Sequence, residues 1–341
     1  MMPPGKSLAG RQMQFNRLKR REFMTLLGGA ATAWPLVAHA QQRGQIRRIG
    51  FLRAAPPPER ELNAFVRALA EHGYVQGRNF VIVPQWGDGN VARLSELAVV
   101  LVNASVDVIV TEGTIVAQAA AAATSTVPIV MVGVADPFAG GLVRNLSRPG
   151  GNVTGFSSLD IDIAGKLLEI LKEIVPGLTR IAILATRSIW GLFGPAQDQA
   201  AKALGVELSY IDMPRPEAVG VAMQEAISAG AQGAVLRGGP FFSGMQRRII
   251  IDSAAEFRLP VMYERRDDTA QGGLVSYSAD HIQLYRAAAE YVTRILAGES
   301  VANLPVQQAT KFELVINIKT AKALGLDVPP MLLARADEVI S

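Results

Sequence analysis

From residue 46 onward, short apolar runs alternate with segments whose apolar residues recur every three to four positions. Residues 46–52 read as a first strand. Leu62, Phe65, Val66 and Leu69 then recur at i, i+3, i+4 and i+7, which is one face of a helix, and Gly73 marks its end. A second strand is expected over 80–83 and a second helix on Leu94, Leu97, Ala98 and Leu101. A third strand over 107–111 leads into an Ala-rich helix over 114–123, and a fourth strand follows at 128–132. The strands are apolar on both faces and separated by helices. That pattern predicts a parallel sheet covered on both sides.

Arg148-Pro149-Gly150-Gly151-Asn152 is a strong turn cluster, read as a crossover, and the alternation then restarts. Helices are expected over 160–174, 196–204, 217–228 and 244–257. Between them lie strands at 180–185, 206–211, 234–237 and 260–263. Gly272-Gly273 is a second break, followed by a helix over 279–296 and a strand over 312–317. Two βα series in succession suggest two similar lobes joined by several crossings.

The stretch before this pattern has a different character. Arg20 and Arg21 precede Phe23, an apolar run extends to Val37, and Ala38-His39-Ala40 offers a small-x-small cleavage signal. The run is too short and too rich in Gly and Ala for a membrane span, and the paired arginines match a twin-arginine export signal. Residues 1–40 are therefore expected to be a signal peptide cleaved near Ala40, with the mature chain working in a bacterial periplasm.

This segment changes the reading of charge. The formal net charge is +4, but residues 1–40 carry six basic residues against Glu22 alone, so the remainder of the chain is at −1. A nucleic-acid partner loses its electrostatic basis. There is no cysteine, which excludes disulfides, thiol nucleophiles and zinc–cysteine sites. Outside the leader only His72 and His281 remain, and neither sits in a metal-binding spacing. No metal or cofactor is expected. Hydrophobic residues make up 49 % of the chain, enough for a large core.

Catalytic motifs are absent. Gly87-Asp88-Gly89-Asn90-Val91-Ala92 fits a dinucleotide fingerprint, but it follows the second strand and reads as a turn. There is no phosphate-binding Gly-Lys-Ser/Thr loop, no G-x-S-x-G elbow and no visible nucleophile–base–acid set. The informative positions are the C-terminal ends of the strands, where open α/β sheets bind ligands. Arg53 ends the first. Glu112-Gly113-Thr114 ends the third and opens a helix whose start favours an anion, with Thr114 as ligand contact, N-cap or both. Asp136 follows the fourth strand and offers a carboxylate to an ammonium or caps a turn. In the second half, Trp190, Phe241 and Tyr263 lie on loops where aromatic rings suit a small-molecule cleft. Arg247, Arg248, Arg265 and Arg266 read as solvated surface.

Several long blocks occur in order: Glu71-His-Gly-Tyr-Val-Gln-Gly-Arg-Asn79, Pro128-Ile-Val, Asp136-Pro137, Gly141-Leu-Val and Arg148-Pro-Gly-Gly-Asn-Val-Thr-Gly155. They continue with Gly272-Gly-Leu-Val-Ser-Tyr277, the run from Leu304 to Asn317, and Ala321-Lys-Ala-Leu-Gly325. Together they resemble the substrate-binding proteins of ABC transporters, in the family that includes tryptophan-binding members. The resemblance implies an α/β fold of two Rossmann-like lobes with parallel sheets, joined by three hinge crossings, the type I periplasmic binding fold. The lobes would be residues 46–155 with 277–305, and 156–276 with 306–341. The crossings would lie near 154–156, 276–277 and 305–306, which brings Tyr277 into the candidate set.

The chain is read as a monomeric periplasmic receptor without catalytic activity. It would deliver a small polar ligand, an amino acid or related carboxylate, to a membrane permease with a cytoplasmic ATPase. A ligand sensor for a membrane receptor uses the same cleft and is the alternative, with a periplasmic hydrolase third. The loop Arg53-Ala-Ala-Pro-Pro-Pro58 and Ser278 depart from the family pattern.

Overall fold

A computed structural model describes residues 46–213, 218–237 and 245–341, and Arg47–Ser341 form one compact unit. The export segment and Phe241 lie outside the described residues. Two sheets carry the fold. The first has six strands in the order β11-β5-β4-β3-β1-β2. These are β1 (Arg47–Arg53), β2 (Phe80–Trp86), β3 (Val108–Glu112), β4 (Ile129–Val134), β5 (Val153–Ser157) and β11 (Gln307–Gln308). Every pairing in it is parallel. The second has seven strands in the order β13-β12-β10-β9-β8-β6-β7. They are β6 (Arg180–Ala185), β7 (Glu207–Asp212), β8 (Gly233–Leu236), β9 (Val261–Tyr263), β10 (Val275–Ala279), β12 (Phe312–Asn317) and β13 (Glu338–Ile340). Its β10–β12 pair is antiparallel.

Both sheets are buried on two faces, and the alternation along single strands shows it. In β1, Ile49 and Phe51 face one core with Phe65 of α1 (Glu59–Glu71), while Leu52 faces another with Leu97 and Leu101 of α2 (Leu94–Asn103) and Val116 of α3 (Thr114–Ala123). In β6, Ile181 and Ile183 pack against Leu167 and Leu171 of α4 (Ala164–Ile174). Ala182 and Leu184 face the opposite way, toward Met223 of α6 (Val219–Ser228) and Ile250 of α7 (Met245–Glu256). Period-two alternation between two apolar faces reads in sequence as an unbroken apolar run. The helix α5 (Trp190–Leu204) completes that layer and α8 (Arg266–Ala270) follows β9.

The lobes exchange chain three times. After β5 the chain passes to the second lobe through residues 158–163. After β10 it returns as α9 (His281–Leu296), which packs on α1 through Tyr285 and Phe65. Between β11 and β12 it crosses again and ends with α10 (Ile318–Leu324), α11 (Pro330–Leu333) and β13. The sheets thus change at 158–163, 280 and 309–311, a few residues beyond the expected segments 154–156, 276–277 and 305–306. The turn cluster at 148–152 leads into a strand rather than a crossing. Thr154 is fully buried in β5, its hydroxyl donating to Leu304 O at 2.7 Å. Gly155 has φ +134°, and a Cβ there would stand 2.0 Å from Met131 O, so the backbones meet where only glycine fits. The helix α5 begins six residues before the expected 196, because Pro195 is carried inside it instead of opening it.

Candidate functional site

The C-terminal ends of β3 and β4 face the residues that follow β9 and the start of α5 across a cavity of about 290 Å³. Its walls come from both lobes. Glu112, Gly113, Thr114 and Val116 line one side, and Ile189, Leu192, Phe193, Asp160 and Glu264 line the other. Gly113 has φ +85° and caps α3, whose first turn, Thr114 to Val116, opens into the cavity. The backbone N–H groups of a first turn have no intrahelical acceptor and carry the positive end of the helix dipole. The Thr114 hydroxyl accepts from Ala135 N at 3.3 Å. Gly113, not Thr114, therefore occupies the cap position.

One end of the cavity is closed by a buried ion cluster that ties the lobes together. Glu112 is 2 % exposed. Its Oε2 meets Arg53 Nη2 at 2.6 Å and accepts from the Tyr285 hydroxyl. Its Oε1 accepts from Arg265 Nη1 at 2.8 Å, and Arg265 Nη2 donates to Glu61 of α1. Arg265 follows β9, so these two ion pairs cross from one lobe to the other. Burial alone would raise the Glu112 carboxyl, but Arg53 and Arg265 outweigh it and hold it at about 2. Burial and then the neighbouring Arg265 push His281 down to about 3, so its ring is neutral beside the guanidinium at 3.0 Å.

The other end is built by the crossing segment 158–163 and the second lobe. Asp160 accepts from the Ser158 hydroxyl at 2.6 Å. Arg237, 1 % exposed, pairs with Glu264 at 2.8 Å and lies 3.9 Å over the Phe193 ring. Burial raises Asp160 to about 6, against the pull of Arg237.

Of the residues singled out from sequence, Glu112 and Thr114 line the cavity and Arg53 stands directly behind Glu112. Asp136 does not line it; its Oδ1 caps a turn, accepting from Phe138 N and Ala139 N at 2.9 Å each. Trp190 turns away toward Arg187 and Tyr210, while Ile189, Leu192 and Phe193, at i, i+3 and i+4, form the face that reaches the cavity. Tyr263 is core, 1 % exposed, against Leu236 and Ile251. Tyr277 stacks on Phe312 in the second lobe, with ring centroids 5.7 Å apart. Arg247 and Arg265, read as solvated surface, are each 8 % exposed. Their ion partners Asp268, Glu61 and Glu112 explain the burial.

The sequence reading passed over Asp160, Arg237, Glu264, Arg265 and His281. The rule that ligands gather beyond strand ends points to the residues after β8 and β9, Arg237 and Glu264-Arg265; preference for aromatic residues selected Tyr263 instead. Among the described residues no cluster of His, Asp and Glu could hold a metal, and no helix is long and apolar enough to cross a membrane.

Residues 57–340 match the family model of the ABC transporter substrate binding proteins, and the chain belongs to that family. A tyrosine-binding protein of Clostridioides difficile is 28 % identical over 274 residues, 80 % of this chain and 78 % of that protein. A conserved domain protein of Vibrio cholerae, solved by crystallography, is 27 % identical with a TM-score of 0.79, over 86 % of this chain and all of that one. An ABC domain from Streptococcus pneumonia in complex with L-Trp is 24 % identical with a TM-score of 0.78, over 87 % of this chain and all of that one. The two solved structures share the fold of this chain.

Proposed function

We propose that this member of the ABC transporter substrate binding family is an exported receptor that carries a small carboxylate with an apolar side chain to a membrane permease. The observation that supports it is the cavity itself: a helix start at Gly113–Val116 opposite an apolar wall of Ile189, Leu192 and Phe193. The helix start favours a carboxylate. The adjacent ion cluster does not repel it, because Glu61 and Glu112 are matched by Arg53 and Arg265. An amino acid with a large apolar side chain fits this arrangement, in keeping with the tyrosine and tryptophan named for two similar proteins.

Ligand bound between the lobes favours the closed form by its greater affinity for that form, and a permease with its ATPase would take the ligand on reopening. Arg20 and Arg21 support export through the twin-arginine route. Replacing both with Lys should leave the precursor in the cytoplasm, and cell fractionation reads this directly.

The test of binding is a thermal-shift screen of the twenty L-amino acids and their amine-free carboxylate analogues. A ligand at a hundred times its Kd adds about 2.7 kcal/mol of stability. The aromatic and large aliphatic members should shift the melting temperature. A flat response across the whole panel would remove this reading.

A further inference from the structure

Four carboxylates and three guanidiniums converge on the cleft. Glu61 and Glu112 are matched by Arg265 and Arg53, and Glu264 by Arg237. His281 is neutral there. Asp160 is left over. Its carboxylate accepts from the Ser158 hydroxyl, Arg237 reaches only its main-chain oxygen at 3.4 Å, and among the described residues no Lys or Arg forms an ion pair with it. Asp160 nevertheless lines the cavity, on the crossing segment between the lobes and beside Arg237 of the second lobe. A half-buried carboxylate that lines a cleft without a cation is a cost unless something arrives to meet it. Glu112 cannot serve that purpose, since both its oxygens are already taken, and Asp136 is committed to its turn.

We propose that Asp160 receives the ammonium group of the ligand, so that the protein selects α-amino acids over their amine-free analogues, and that binding expels a proton from the cleft. This rests on the cleft being the carboxylate site described above. The two charged ends of the ligand are then held apart, with the carboxylate on α3 of the first lobe and the ammonium on Asp160 of the crossing segment. An amine-free analogue makes only one of these two contacts. The groups facing Asp160 are Ser158 beside it, Arg237 after β8, and Glu264 and Arg265 after β9. Burial outweighs Arg237 and raises the Asp160 carboxyl to about 6, so near pH 6 the empty site holds part of a proton. An incoming ammonium favours the ionised carboxylate, and that proton passes to the buffer.

The experiment is calorimetry at pH 6 with matched probes, L-phenylalanine against 3-phenylpropionate and L-tryptophan against indole-3-propionate. Each titration is run in two buffers of different ionisation enthalpy. The amine-free partner should bind about ten- to a hundredfold more weakly, the loss of one charge-assisted contact. Amino-acid binding should release a fraction of a proton, visible as a buffer-dependent enthalpy. In Asp160→Asn the preference and the proton release should both disappear while 3-phenylpropionate still binds, which also shows that the variant is folded. Asp136→Asn should keep both.

Equal affinity within each pair, or a preference that survives in Asp160→Asn, would overturn the ammonium assignment alone. A buffer-independent enthalpy would overturn the proton release. Failure of every probe to bind would instead bring down the carboxylate reading of the cleft, and this inference with it.

Discussion

The two ends of the cleft handle charge in opposite ways. Around Glu112, two carboxylates meet two guanidiniums, a tyrosine hydroxyl and a neutral histidine, so each carboxylate has a cationic partner, although burial raises Glu61 to about 7. Around Asp160, two carboxylates share one guanidinium, and the remainder faces the cavity. Removing a member of a complete buried cluster strands its partners, whereas neutralising a surplus charge relieves repulsion and desolvation. The first arrangement is therefore read as a clasp between lobes, and the second as a surplus carboxylate that the proposed ammonium would meet.

The largest effect should come from breaking the clasp. Glu112→Ala leaves Arg53 and Arg265 buried without their shared carboxylate and should cost about 3–5 kcal/mol in denaturant unfolding at pH 7. A loss below about 1 kcal/mol would mean that the two ends do not differ as described. Next is the apolar wall. Phe193 lines the cavity, and Phe193→Ala should weaken binding of phenylalanine by about 1.5–3 kcal/mol, the transfer value of a large apolar side chain. An unchanged Kd would place the ligand's side chain elsewhere. Smaller again is the coupling across the hinge. A double-mutant cycle on Glu61→Gln and Arg265→Gln should return about 0.5–3 kcal/mol. If the two changes are additive, the lobes are not clasped through this pair.

The same contrast explains what could be read from the sequence. Most strands were legible because two buried faces make an apolar run, but β5, β10, β11 and β13 had no counterpart in the expected pattern; the helix at 114–123 and the strand at 312–317 needed only their own residues. Burial of charge was not legible in the same way. Arg265 finds its carboxylates 153 and 204 residues away in the chain, so a run of Glu and Arg looks like surface until the fold brings them together. Aromatic loops drew attention because rings are conspicuous. Yet Tyr263 serves the core, and the ring that reaches the cavity is Phe193, selected by the phase of α5. The crossings were displaced for a related reason. Gly and Pro mark turns, but which sheet a strand such as β5 joins depends on partners such as Met131 and Phe156's neighbour Gln307.

The smallest and most discriminating effect is the pH dependence of stability without ligand. Glu112 is held at about 2 against an ordinary 4.5, so its contribution is present above pH 4.5 and fades as pH falls toward 2. Asp160 is raised from 3.8 to about 6, so the sign reverses: its contribution is complete below about pH 4 and is lost as pH rises through 6. Asp160→Asn keeps an acceptor for Ser158 but cannot ionise. It should therefore melt higher than the parent at pH 7.5, with the gain vanishing near pH 4. Because Asp160 opens onto the cavity, water screens much of its burial, and a gain on the order of 1 kcal/mol corresponds to about 2–4 °C. Thermal melts of parent and variant at pH 4, 6 and 7.5 read this directly. A variant less stable than the parent at pH 7.5 would show that the Asp160 charge is matched within the protein, and the two ends of the cleft would then be alike.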